Sequence, residues 1–98
     1  MTLWAWGVSL FLFFSGLMIV VLRRQLLLML LGLELMITGA NIILVYYGGL
    51  RSDADILGAA LLILAIAAGE AVVGLALILR AYNLGLEPEA PALRELKG

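Results

Sequence analysis

Three long apolar runs in a short chain leave it almost no choice of solvent. They extend from about Leu3 to Leu22, from about Leu26 to Tyr47 and from about Ile56 to Leu79. Each reaches the roughly 20 residues that a helix needs to cross a hydrocarbon core about 30 Å thick. Within a bilayer every backbone N–H and C=O has to be paired inside the segment, which makes each run a helix. A soluble domain of this size could not bury so much apolar surface in one core. The charged share supports this: 13% of the 98 residues, against about a quarter in soluble domains. The expected fold class is therefore an all-α membrane protein with three transmembrane helices in a single membrane domain, residues 1–98.

The breaks between the runs set the topology. Arg23, Arg24 and Gln25 form an inner loop, so short that the first two helices must be an antiparallel hairpin. Gly48-Gly49 is expected to end the second helix, as glycine commonly does, which leaves an outer loop over 48–55. A tail over 80–98 holds both prolines, with a short turn of helix expected at Leu93–Leu96. A cleaved signal peptide fits the first run poorly. Its amino end lacks Lys or Arg, and an arginine pair follows where a small-residue cleavage site would stand.

Lys and Arg orient the bundle. Arg23, Arg24, Arg80, Arg94 and Lys97 fall on the side of the inner loop and tail, and only Arg51 on the other, beside Asp53 and Asp55. The expectation is an outside N-terminus and a cytoplasmic C-terminus. Trp4, Trp6, Tyr46 and Tyr47 then make an outer aromatic belt, with Tyr82 at the inner interface. The chain has no Cys and no His, which excludes disulfides, thiolate-held clusters and histidine-ligated haem or zinc on the chain itself. A net charge of −1 gives no footprint for nucleic acid.

Against this background two residues stand out, Glu34 in the second run and Glu70 in the third. An ionisable group at mid-helix costs about 2.5–3.5 kcal/mol to insert and marks a functional site by default. At 1.5 Å per residue, Glu34 lies about 12 Å from the inner end of its helix and Glu70 about 14 Å from the inner end of its own. Antiparallel helices thus carry carboxyls at nearly one level, as a lateral proton path would need. A carboxyl can take up and release a proton, the property that acid–base work requires. Hard cations want several oxygen ligands, and the spans add only Thr38, Asn41, Ser9 and Ser15, so a proton is the better cargo. Structural ion pairing is the competing explanation, but no Lys or Arg lies inside the spans, and a partner would have to come from another chain.

Thr38 and Asn41 fall four and seven residues after Glu34, on one helix face. They read either as a hydrated polar stripe or as ordinary helix-to-helix hydrogen bonding. Ala67, Glu70 and Gly74 are expected to share a face, setting the second carboxyl at a tight interface. Gly32 and Gly39 serve close packing in the second helix, and Arg23 and Arg24 read first as topology anchors.

The stretch Arg23–Leu44 (RRQLLLMLLGLELMITGANIIL) resembles the second helix of the small three-helix membrane subunit of respiratory complex I, the NADH:quinone oxidoreductase subunit K family. The stretch Ala65–Leu79 (AIAAGEAVVGLALIL) is similar to its third helix, and Leu93–Gly98 to its short ending. The resemblance covers essentially the whole chain in order. It implies that Glu34 and Glu70 match two glutamates on a hydrophilic axis linking quinone reduction to proton translocation, and that Arg23 and Arg24 match a basic inner-loop pair. It further implies neighbouring small membrane subunits and an antiporter-like subunit as partners. No cofactor would be bound by this chain, with quinone, NADH, FMN and iron–sulfur clusters on partner subunits in the cell inner membrane or its organellar equivalent. Gln25 stands where the family commonly has Asn, Ala54-Asp55 where Gly-Gln is frequent, and Gly69 where Ala is usual. Two related alternatives are the small subunit of a multi-subunit cation/proton antiporter, whose third helix generally lacks the glutamate, and a ferredoxin-type complex. A self-contained small transporter usually has four helices and one key carboxyl.

Overall fold

In a computed structural model of the chain, which describes residues 2–86, three helices follow one another with almost nothing between them. Helix α1 spans Thr2–Leu22, α2 spans Leu26–Arg51 and α3 spans Ala54–Asn83. All three are long and apolar enough to cross a membrane. By length and composition this is the fold of a multi-pass membrane protein.

The central helix is α2. Close pairs join Gly16 to Gly32 and Ser9 to Gly39 on one side of it, and Gly48 to Ile56, Asn41 to Ala60 and Leu30 to Gly74 on the other. Both sets run in opposite chain directions, so each neighbour of α2 is antiparallel to it. The core inverts that of a soluble protein. Its buried apolar residues are Ala5, Ala60, Ala67, Ile78 and Ala81, whereas Leu3, Phe11, Val21 and Val72 are all about 70% exposed or more. Between helices in lipid there is no hydrophobic drive, because lipid tails are as apolar as leucine; close backbone contact through small residues replaces it. Small buried residues recur at seven-residue spacing in every helix: Ser9 and Gly16, Gly32 and Gly39, Ala60 and Ala67. Seven residues are nearly two full turns, so each pair faces the same neighbour.

Two boundaries differ from expectation. Gly48 and Gly49 do not end α2, which continues to Arg51, and the connection expected over 48–55 shrinks to Ser52 and Asp53. Gly48 is buried against Ile56 and Leu57 of α3, so its lack of a side chain serves a close approach and not a stop. The stop comes at Ser52, in the left-handed conformation at φ 51°. The N–H groups of Ser52 and Asp53 donate back to the carbonyls of Gly49 (3.3 Å) and Gly48 (2.9 Å), a Schellman closure. Asp53 then caps α3, its carboxylate accepting from the N–H groups of Asp55 (3.0 Å) and Ile56 (3.3 Å). Helix α3 also outruns its expected end at Leu79, reaching Asn83. A second Schellman closure follows, with Gly85 at φ 79° and the Leu86 N–H donating to the Ala81 carbonyl at 3.0 Å. The helical turn expected at Leu93–Leu96 lies outside the described residues.

At the end of the bundle carrying the Ser52-Asp53 turn, the Trp6 indole N–H donates to the Tyr47 hydroxyl at 2.9 Å, and Tyr46 meets Tyr47 edge-on at 5.4 Å between centroids. The aromatic residues assigned to one interface are thus at one end, and two of them tie α1 to α2.

Candidate functional site

Four residues of α2, namely Glu34, Thr38, Asn41 and Val45, follow one another at spacings of four, three and four. Such residues stack along one face of a helix. Across from them α3 offers Leu64, Ala67 and Ala68, and two adjacent alanines do not fill the space. The result is an open-sided cleft of about 240 Å³ between the two helices, lined also by Ile37 and Ile42. At about 30 Å³ of liquid volume per water, that is room for several molecules. The walls are aliphatic apart from the carboxyl, the hydroxyl and the amide of the stripe.

Each polar residue enters differently. Glu34 is half-buried at one end of the cleft, and Thr38 is exposed on its wall. The Asn41 side-chain amide donates to the carbonyl of Ala60 in α3 at 3.2 Å, so it does bridge helices. Its Oδ1 is buried with no hydrogen-bond partner. The pairs Leu30–Gly74 and Asn41–Ala60 bracket the glutamates along the seam. Glu34 therefore stands level with Ala67 and Ala68, whose side chains share its cleft, and Glu70 follows within a helical turn. The expectation of carboxyls at nearly one level agrees with this register.

Their burial does not agree. Within this chain Glu34 is only partly covered and Glu70 is exposed. Ala67 points at α2, Ala68 lies about 100° one way round the α3 axis, and Glu70 about 60° the other way. The tight contact expected to enclose Glu70 thus forms with Ala67 and Gly74 alone, and the carboxyl emerges beside it. Glu34 opens on the Ala68 flank of the α2–α3 seam and Glu70 on the opposite flank. Arg23 and Arg24 are exposed at the α1–α2 turn, away from the cleft. The structure therefore brings together Glu34, Thr38 and Asn41, and separates from them Glu70 and the arginine pair. The Ala60 carbonyl and the Ala67-Ala68 pair were not singled out from the sequence as parts of this site. Their only signal was small size opposite the polar stripe.

A family-wide sequence profile described as NADH-ubiquinone/plastoquinone oxidoreductase chain 4L matches residues 4–98. The chain belongs to this family. Among its relatives, NADH-quinone oxidoreductase subunit K of Methylacidiphilum infernorum is 39% identical over 88 residues, covering 88% of this chain and 85% of the relative. Subunit K 2 of Aquifex aeolicus is 40% identical over 94 residues, covering 93% and 89%. Subunit K of Acinetobacter baumannii is 36% identical over 91 residues, with 93% and 89% covered. As a member of the family the chain is a subunit of a proton-pumping NADH-quinone oxidoreductase, with other subunits of that complex as partners.

Proposed function

We propose that Glu34 and Glu70 are proton-carrying groups of the complex, together forming one segment of a lateral relay that couples quinone reduction to proton translocation. The observation that carries this reading is their placement at one level on opposite flanks of the α2–α3 seam. A proton handed to one flank by a neighbouring subunit can leave from the other without changing depth. Three helices that leave one carboxyl half-covered and the other exposed need further subunits to exclude water and lipid. The neighbours in this reading are other small membrane subunits and an antiporter-like subunit. Quinone, NADH, FMN and iron–sulfur clusters are held by partner subunits, and this chain supplies only proton-accepting side chains.

The same reading sets the chain in the cell inner membrane, or the equivalent organellar membrane, with the N-terminus outside and the C-terminus cytoplasmic. Five of six basic residues on the side of the Arg23-Arg24 turn support that orientation.

The test is Glu34→Gln and Glu70→Gln in the assembled complex, with NADH-driven quinone reduction and proton uptake measured together in inverted membrane vesicles. Glutamine keeps the shape and cannot carry the proton. Proton uptake should fall about tenfold or more in each variant with assembly retained, a loss at or below the usual worth of an acid–base group. Unchanged pumping in both would sink the assignment. Reduction driven by ferredoxin and not by NADH would move the complex to the ferredoxin-type alternative.

A further inference from the structure

Asn41 has two hydrogen-bonding ends, and bridging the helices uses only one. The Ala60 carbonyl can only accept, so the amide nitrogen must face it and Oδ1 is turned away from it. That oxygen is buried and unpartnered, a state that costs about 1–3 kcal/mol in a folded protein. Such an acceptor, on the wall of a cleft whose other polar side chains are Thr38 and Glu34, calls for one donor. Thr38 stands three residues before Asn41 and four after Glu34, and all three line the cleft. Side chains at these spacings are neighbours, with Cβ atoms about 5–6 Å apart. By turning about χ1 the Thr38 hydroxyl can therefore bridge Asn41 on one side and Glu34 on the other.

We infer that Asn41 is a positioning residue for Glu34: its Oδ1 anchors a hydrogen-bonded chain through the Thr38 hydroxyl and fixes the direction in which that chain points. An amide oxygen only accepts, so the Thr38 O–H donates to it. The lone pairs of Thr38 then face Glu34 and accept the hydrogen bond of its protonated carboxyl. The chain receives from Glu34 and does not donate to it, so one rotamer of the protonated acid is selected. This rests on the proposal that Glu34 carries a proton. The titratable side chains near this level are Glu34 itself on α2 and Glu70 on the far flank of α3, and α1 has none.

The test is a double-mutant cycle in the assembled complex, with Thr38→Val, Asn41→Leu and the pair, read as proton pumping beside the infrared carbonyl band of protonated Glu34. Thr38 is exposed, so Thr38→Val keeps the fold even if Asn41→Leu weakens it by losing the bond to Ala60. Each single variant should slow pumping about fivefold, the rate equivalent of one hydrogen bond. The pair should be no slower than either, because both interrupt the same chain. The carbonyl band should rise in frequency in Thr38→Val, as a carboxyl losing its hydrogen-bond partner does. Asn41→Asp, a neutral isostere when protonated, should restore most of the rate. Normal pumping and an unmoved band in Thr38→Val overturn the inference, and so do additive losses in the pair. If Glu34→Gln abolishes pumping in that same case, the relay stands and only the Asn41 chain falls. If Glu34→Gln leaves pumping unchanged, the relay itself has failed.

Discussion

The two seams of this bundle are built differently. Between α1 and α2 backbone meets backbone: a Cβ added to Gly39 would lie 2.6 Å from the Ser9 carbonyl oxygen, and one added to Gly32 would lie 2.7 Å from that of Gly16. The Ser9 hydroxyl, buried, closes the same seam by donating to the Gly39 carbonyl. Between α2 and α3 side chains keep the backbones apart. A Cβ added to Gly74 would lie 3.1 Å from the flexible end of Leu30, and one added to Gly48 would lie 3.0 Å from the Ile56 and Leu57 side chains. The groove along the first seam is walled by Trp6, Leu10, Phe13, Phe14, Ala40 and Ile43, and its polar contacts are the Ser9 hydroxyl and, at one end, the Trp6–Tyr47 bond. The second leaves a cleft, and the polar stripe of α2 lies along it. Two kinds of contact thus share one helix: the face of α2 toward α1 meets backbone, and the face toward α3 carries the polar stripe.

Three substitutions probe that contrast, beyond those aimed at Glu34, Glu70 and the Asn41 chain. Gly39→Ala should be the most damaging. The new methyl meets backbone atoms of Ser9 and Phe13, which cannot rotate away, so the cost should reach or exceed the roughly 1–3 kcal/mol of ordinary overpacking. Loss of assembled complex in a native gel is the expected outcome. Ser9→Ala, in the same seam, removes one interhelical hydrogen bond and should cost about 0.5–1 kcal/mol, seen as a small drop in the temperature at which the complex dissociates. Gly74→Ala should cost least, below about 0.5 kcal/mol, because the Leu30 side chain can change rotamer to admit a methyl. If Gly74→Ala proves as harmful as Gly39→Ala, the two seams are equally tight and the contrast is wrong.

Helix number and antiparallel order were legible in the sequence because apolar length and the charge-poor breaks have few other interpretations. So was the close packing at Gly32 and Gly39. What could not be read was the direction of each seam around the helix axis. Glu70 shares a broad face with Ala67 and Gly74, but about 60° of rotation separates a carboxyl held in a contact from one beside it. Only the true line of contact, fixed by Ala60, Ala67 and Ile78, settles which side it takes. Gly48 misled for a related reason. A glycine pair at the end of an apolar run suits a helix stop as well as a close approach, and the neighbour at Ile56 was not visible. The αL position at Ser52 carried no glycine to announce it, so α2 runs four residues past its expected end at Tyr47.

The opposite outlooks of Glu34 and Glu70 have a consequence at the scale of the assembly. On the proposed reading the subunit works like a feedthrough in a bulkhead, with one terminal on each face and the wall itself made by α2 and α3. Wiring of that kind is in series. A defect in the neighbour on either face would silence conduction through this chain while leaving both of its own terminals intact.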